Sequence, residues 1–136
     1  MDLEARGLMS ALEELAASVA NVYGITCASD VQHPVLVHDH LVATHLFRIA
    51  QEAINNATRH GKASVINIRL SSVDGSIKLA IEDNGGGVPK PLPAGHGMGL
   101  SLMQYRAGMI GGQLVVAPRP GGGTIVACSF HQQPPI

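Results

Sequence analysis

The sequence feature that most restricts the fold is a pair of alternating segments joined by a two-residue turn. Apolar and polar residues alternate through 64–70 and again through 76–82. Because successive side chains of a strand point to opposite faces, each segment predicts a strand with one buried face. Asp74-Gly75, between them, is typical of a tight hairpin turn. The chain therefore has to contain an antiparallel strand pair with one face that must be covered.

The best candidate to cover that face is a helix over 39–60. Its apolar residues recur at helical spacing and form one stripe: Leu46, Ile49, Ala50, Ala53, Ile54 and Ala57. Four residues separate Glu52 from Asn56, so both side chains lie on one side of the helix, and Arg59 and His60 follow one turn later. These side chains could line a chemical site. The alternative is a polar face that is only solvated.

The remaining segments complete an α+β pattern. Periodicity predicts further helices at 3–22 and 100–110, and further strands at 25–29, 113–117 and 124–130. Short turns between neighbouring strands favour a mixed, mostly antiparallel sheet with helices on one face, a two-layer α/β sandwich. With 136 residues and no long interior linker, we expect a single domain over 1–136, with its core at about 8–130.

Composition argues against several classes of protein. A formal net charge of −1 and an aromatic content of 3% give no basic or stacking surface for nucleic acid. No apolar run reaches membrane-spanning length, and the N-terminus lacks a leader pattern. The two cysteines, Cys27 and Cys128, form no metal-binding spacing. We therefore expect a soluble, cytoplasmic chain that does not insert into a membrane and binds no nucleic acid.

A glycine cluster follows the second strand of the hairpin. In Asp83-Asn84-Gly85-Gly86-Gly87, the carboxylate could accept a hydrogen bond from an amine of a ligand. The glycines would let that ligand approach the backbone closely. The same residue types also form common turns, so the cluster has a purely structural interpretation as well.

Two more glycine clusters lie next to predicted elements. Gly95-x-Gly97-x-Gly99 precedes the helix predicted from Leu100, where free N–H groups and the helix dipole favour an anion. Its spacing fits neither the dinucleotide fingerprint nor the P-loop, and a flexible hinge is the alternative. Gly121-Gly122-Gly123-Thr124 enters the last strand and could be a simple hairpin loop.

Together these segments resemble the Bergerat-fold ATPases, which include sensor histidine kinases, heat-shock chaperone ATPases, type II topoisomerases and mismatch-repair ATPases. The resemblance covers roughly residues 8–130. It rests on Glu52-x-x-x-Asn56, Asp83-x-Gly85-x-Gly87, Gly95-x-Gly97-x-Gly99-Leu100 and Gly122-Gly123-Thr124, in that order. The segment from Gln51 to Ala63, with Gly99-Leu100-x-x-Met103-x-x-Arg106-Ala107, is most similar to the nitrate-sensor-type subfamily of histidine kinases.

The resemblance implies an ATP site with Mg²⁺ as cofactor. Asn56 would coordinate the Mg²⁺ that bridges the phosphates, and one amide oxygen is enough because this metal keeps several waters. Glu52 would be the catalytic residue, as general base or as the group that orients a metal-bound water. Asp83 would accept the adenine amino group, and Thr124 would lie near the same ring edge.

Other ATP contacts are implied in the same way. Gly85 and Gly87 would let the base lie close, while Gly97 and Gly99, followed by Leu100, would offer backbone N–H groups to the phosphates. Arg59 and His60 resemble residues that touch phosphate or nucleoside, although Arg59 could equally be an exposed ion-pair partner. Arg106 would tie its helix to a neighbour. The segment 88–96 corresponds to the ATP lid and lacks the family's common phenylalanine motif.

The implied function is transfer of the γ-phosphoryl group of ATP to a histidine in a two-component sensor kinase. The phosphoacceptor histidine would lie on a separate helical-hairpin domain, in the same native protein or in trans, and a response regulator would act downstream. Alternatives are an ATP hydrolase, a protein-serine kinase or a nucleotide-binding interaction module. As an isolated domain we expect a monomer, whether it stands alone or is the cytoplasmic part of a membrane-anchored sensor.

Overall fold

The structure is a computed structural model that describes residues 3–30, 35–86 and 96–132. Its elements follow the predicted order of helix, strand, helix, strand, strand, helix, strand, strand. They are α1 (Leu3–Tyr23), β1 (Thr26–Asp30), α2 (His40–Arg59), β2 (Val65–Val73), β3 (Ser76–Asp83), α3 (His96–Met109), β4 (Gln113–Pro118) and β5 (Thr124–His131).

The five strands form one sheet in the order β1-β2-β3-β5-β4. β1 runs parallel to β2, and the other neighbouring pairs are antiparallel. Asp74 and Gly75 turn the β2–β3 hairpin with φ angles of 51° and 82°, the left-handed conformation that a two-residue hairpin of this twist requires. The predicted α+β class and mixed, mostly antiparallel sheet are confirmed.

The core lies between the sheet and the helices. α2 packs against both α1 and α3 and so occupies the middle of the helical layer. Buried and accessible residues alternate along most of β2 and along β3, as the period of two requires, and the buried residues are mostly apolar. The largest fully buried side chains are aliphatic or sulfur-containing: Leu12, Leu46, Ile49, Ile66, Ile68, Leu70, Ile77, Leu79, Ile81, Met103 and Cys128.

Both ends of α2 are fixed by local hydrogen bonds. The carboxylate of Asp39 accepts from the Leu41 N–H at 2.8 Å and so caps the first turn. At the other end, the N–H groups of His60 and Gly61 both donate to the carbonyl of Asn56 at 3.0 Å. The last turn of α2, which carries Asn56, is therefore closed by the backbone of the two residues that follow the helix.

One helix boundary was predicted wrongly. α3 begins at His96 and not at Leu100, so Gly97 and Gly99 belong to its first turn. The low helix propensity of glycine favoured a later start, but packing against α2 overrides that preference. The predicted tie from Arg106 is confirmed, because its Nη1 lies 3.3 Å from Nδ1 of His45 on α2. In the described part of the chain, no helix is both long and apolar enough to cross a bilayer.

Candidate functional site

A pocket opens where the last turns of α2 meet the end of β3, the start of α3 and the start of β5. Asn56, His60, Asp83, Leu100 and Thr124 line it, together with apolar side chains of α2, β4 and β5. Its volume is about 30 Å³, room for about one water molecule. The pocket therefore brings together predicted site residues from α2, β3, α3 and β5.

Asp83 is the one buried acid that the structure describes in this pocket. It ends β3 with 7% of its surface exposed, and its Oδ1 accepts from the Gly85 N–H at 2.8 Å. Burial raises the pKa of Asp83, while backbone N–H bonds from Gly85 and Thr124 and the positive charge of Arg119 act in the opposite direction. These donors favour the ionised carboxylate, which can accept a further hydrogen bond from a ligand.

Thr124 is the second buried polar residue of the site. It starts β5, is 7% exposed, and pairs with Asp83 on β3 and with Pro118 on β4. This register places the hydroxyl side chain beside the Asp83 carboxylate at the base of the pocket. A ligand that reached Asp83 would therefore also meet Thr124.

Asn84, which has no predicted role in the sequence motifs, joins two loops by hydrogen bonds. Its Oδ1 accepts from the N–H groups of Ser64 and Val65, each at 2.9 Å, and its Nδ2 donates to Oγ of Ser64 at 3.0 Å. The segment after β3 is thereby bound to the segment after α2. An asparagine between a strand end and glycines is typical of side-chain bonding to backbone, and that signal could have indicated this role.

Gly85 is packed closely by the same pair of loops. A Cβ built there would lie 2.6 Å from the carbonyl oxygen of Gly61, and the Gly86 N–H donates to that same oxygen at 2.8 Å. Position 85 therefore requires glycine for the approach of Gly61. Close approach of a base at Gly85 stays a prediction.

Glu52 lies next to the pocket and not among its lining residues. Its carboxylate is against Gly99, and a Cβ at position 99 would also be 3.6 Å from Nδ2 of Asn56. Glu52 in addition lines a second cavity of about 330 Å³ between the three helices. Glu52 and Asn56 are thus side by side at the first turn of α3, where free N–H groups attract anions.

Some predicted residues are not among the described residues that line the pocket. Arg59 is exposed and is not among the lining residues, because it lies on the outer side of the last turn of α2. Gly97 is in the first turn of α3. Gly87 and the segment 88–95 lie outside the described residues.

The oxygen chemistry around Asn56 suits a hard cation. An amide and a neighbouring carboxylate are the donors that Mg²⁺ prefers, with water or phosphate oxygens completing the shell. Within residues 3–30, 35–86 and 96–132, no three His, Cys, Asp or Glu side chains converge on a metal-sized position. Asn56 and Glu52 fit Mg²⁺ held mainly through a bound anion.

Comparison with known proteins gives a consistent result. A sequence model of the family described as histidine kinase-, DNA gyrase B- and HSP90-like ATPase matches residues 41–134. The nitrate/nitrite sensor protein NarQ of Escherichia coli (strain K12) is 36% identical over 133 residues, 96% of this chain. The chain spans 23% of the length of that relative.

Solved structures share the fold. The histidine kinase domain of the blue-light activated histidine kinase EL346 from Erythrobacter litoralis superposes with a TM-score of 0.74 at 24% identity, covering 91% of this chain and 60% of that one. Full-length ShkA in complex with AMPPNP gives a TM-score of 0.72 at 24% identity, covering 98% of this chain and 31% of that one. At these identities the likeness describes the architecture.

Proposed function

The chain belongs to the histidine kinase-, DNA gyrase B- and HSP90-like ATPase family, and we propose that it binds ATP with Mg²⁺ and transfers the γ-phosphoryl group to a histidine. That histidine lies on a separate helical-hairpin domain, in the same native protein or in trans. The observation that carries the proposal is the single pocket at which Asn56, Asp83, Leu100 and Thr124 meet.

The adenine end of the site is at Asp83. Its buried carboxylate already accepts one hydrogen bond from Gly85 and one from Thr124, so it is fixed in orientation before a ligand arrives. An amino group on a planar base is the donor that such an acceptor selects. Leu100 and the apolar side chains of β4 and β5 supply a surface for the ring, and a nucleoside must widen the present cavity of about 30 Å³.

The phosphate end is where α2 meets α3. The first turn of α3 includes Gly97 and Gly99, whose N–H groups would face the phosphates. Asn56 would hold Mg²⁺, which neutralises phosphate charge when bound. Glu52, one turn earlier, orients water or the incoming nucleophile. His60 lines the pocket and would contact the nucleotide, and Arg59 would reach it only by turning its exposed side chain inward.

These residues position the reactants, and the acceptor histidine performs the attack. Phosphoryl transfer depends chiefly on alignment and charge neutralisation, which a rigid pocket between packed elements provides. The acceptor domain, a response regulator downstream and a cytoplasmic location, where ATP is available, complete the proposal. NarQ is a nitrate/nitrite sensor protein, which supports this assignment over other members of the family.

The test uses γ-labelled ATP, Mg²⁺ and a separately produced helical-hairpin domain that carries a histidine. Label on a histidine of the hairpin domain supports the proposal. Phosphate release without a labelled acceptor would instead indicate an ATP hydrolase, and nucleotide binding with neither product would indicate an interaction module. A thermal scan with and without Mg-ATP comes first, because ligand at about 100 times its Kd adds about 2.7 kcal/mol of stability.

A further inference from the structure

The loop between β4 and β5 is a tight turn that Arg119 closes. The Arg119 N–H donates to the carbonyl of Gly123, and the Gly122 N–H donates to the carbonyl of Arg119, both at 3.0 Å. Nη1 of Arg119 also donates to the Gly122 carbonyl at 3.1 Å. Gly121, Gly122 and Gly123 have φ angles of 88°, 114° and 109°. Three successive glycines are flexible when unrestrained, so these bonds select one conformation.

This turn packs against Asp83. Gly123 lies so close to the Asp83 backbone carbonyl that a Cβ at position 123 would overlap it. The next residue, Thr124, pairs with Asp83 in the sheet, and its backbone N–H donates to the Asp83 carboxylate. The position of the turn therefore sets the position of one of the two backbone donors that orient this carboxylate, Gly85 being the other.

The charge of Arg119 acts on the same carboxylate. Burial raises the pKa of Asp83, and the Arg119 guanidinium is among the groups that lower it. From α2, His60 lines the pocket, and the described lining includes no other titratable side chain besides Asp83. Arg69 of β2 is committed to an ion pair with Glu82 at 3.5 Å, on the strand face opposite Asp83.

We infer that Arg119 is a positioning residue for nucleotide binding: it fastens the glycine turn against β3, so that Asp83 is held ready to accept the adenine amino group. This inference rests on the proposed function. Arg119 is not among the described residues that line the pocket, so it acts through Gly122, Gly123 and Thr124 without touching the nucleotide. It is a residue outside the motifs that first indicated the site.

The test measures ADP binding by calorimetry over a range of pH for the wild type, Arg119→Gln, Arg119→Lys and Arg69→Gln. Arg119→Gln loses the charge, so the pH below which ADP affinity falls should move upward, and Kd at neutral pH should rise about tenfold. Arg119→Lys keeps the charge but loses the forked geometry, so Kd should rise with the acid midpoint unchanged. Arg69→Gln, an equal charge change elsewhere, should alter neither quantity.

Carboxyl carbon chemical shifts give a second measurement that needs no nucleotide. The titration midpoint of Asp83 in the free protein should lie higher in Arg119→Gln than in the wild type, and Arg69→Gln should match the wild type. The inference would be overturned if both Arg119 variants kept the wild-type Asp83 midpoint and the wild-type Kd for ADP. It would also be overturned if Arg69→Gln shifted the Asp83 midpoint as much as Arg119→Gln does. If the wild type bound no ADP, the proposed function would fail, while the Asp83 titration would still decide the role of Arg119.

Discussion

The carboxylate of Glu52 on α2 lies directly against Gly99 in the first turn of α3. Even one carbon on residue 99 would overlap Oε1 of Glu52. The closeness of the two helices at this point keeps Glu52 and Asn56 together beside the N-terminal N–H groups of α3. The absence of a side chain at residue 99 is therefore a requirement of the close approach between α2 and α3 at this point.

Gly99→Ala should leave the fold intact but displace the Glu52 carboxylate, because a flexible side chain moves more easily than the backbone. We expect phosphoryl transfer to fall by about 100-fold, because a displacement of about 1 Å in a positioned group can cost that much. The control is Gly108→Ala in the same helix, where a Cβ meets no atom within 4 Å. It should keep full activity and gain up to about 1 kcal/mol in the free energy of unfolding. Equal phosphoryl-transfer activity of Gly99→Ala and Gly108→Ala would show that the contact between Glu52 and Gly99 is not needed for the reaction.

Asn56→Ala should weaken the binding of Mg-ATP much more than the binding of metal-free ATP. We expect about a tenfold or larger rise in Kd for Mg-ATP, because a ligand of the cation is lost. Asn55→Ala is the matched control, since Asn55 is exposed and borders the other cavity. Calorimetry with and without Mg²⁺ measures both quantities. The same loss for metal-bound and metal-free ATP would show that Asn56 does not hold the metal.

Asp83→Asn should affect the free energy of unfolding and the affinity for ATP in different ways. Burial raises the pKa of Asp83 in the folded protein above its ordinary value, so the folded state holds the proton more tightly than the unfolded state. The contribution of Asp83 to the free energy of unfolding therefore falls as pH rises from the ordinary aspartate range through the pKa that Asp83 has in the folded protein. Asparagine removes that pH-dependent penalty and still accepts from Gly85, but it has one acceptor oxygen where the carboxylate, which also accepts from Thr124, has two.

The stability of free Asp83→Asn relative to the wild type should consequently increase as pH rises through this range, while ATP binding is lost. Urea unfolding of both proteins at several pH values, without nucleotide, measures the difference. A variant that is less stable at neutral pH, with a stability gap that widens as pH rises, would contradict the assignment.

Gly123→Ala should be far more destabilising than Gly121→Ala. Both glycines have positive φ, so both variants incur about 1–2 kcal/mol for the left-handed conformation. A Cβ at position 121 meets nothing within 4 Å, whereas one at position 123 overlaps the Asp83 carbonyl. We expect a further loss of about 2 kcal/mol or more in Gly123→Ala, measured by urea unfolding. Equal losses would mean that β5 is not packed against β3 as described.

Local patterns were enough to predict the architecture. The alternation along β2 and β3 and the turn at Asp74 and Gly75 depend on neighbouring residues alone, and so does the apolar stripe of α2. The start of α3 was missed because packing of α3 against α2, a contact between segments distant in sequence, outweighs the low helix propensity of glycine. Propensity at the glycines could not reveal that contact.

The candidate site was predictable in part. Asn56, Asp83, Leu100 and Thr124 follow from motif order, and the structure places them around one pocket. Their roles stay predictions. The exposure of Arg59 depends on the rotation of the last turn of α2, which spacing does not give.

Asn84 and Arg119 are supporting residues whose bonding partners are visible only in three dimensions. Asn84 makes hydrogen bonds to Ser64 and Val65 across two loops. Arg119 closes the β4–β5 turn, which packs against Asp83 of β3. No pattern along the chain links these pairs.

The most direct measurement is calorimetric titration of Mg-ATP into the wild type and into Asp83→Ala. The account predicts one ATP bound per wild-type chain and no measurable binding to Asp83→Ala, because the adenine amino group loses its acceptor. Thermal scans of both free proteins establish that each is folded. Absence of binding to the wild type, or unchanged affinity in a folded Asp83→Ala, would contradict the assignment of this pocket to ATP.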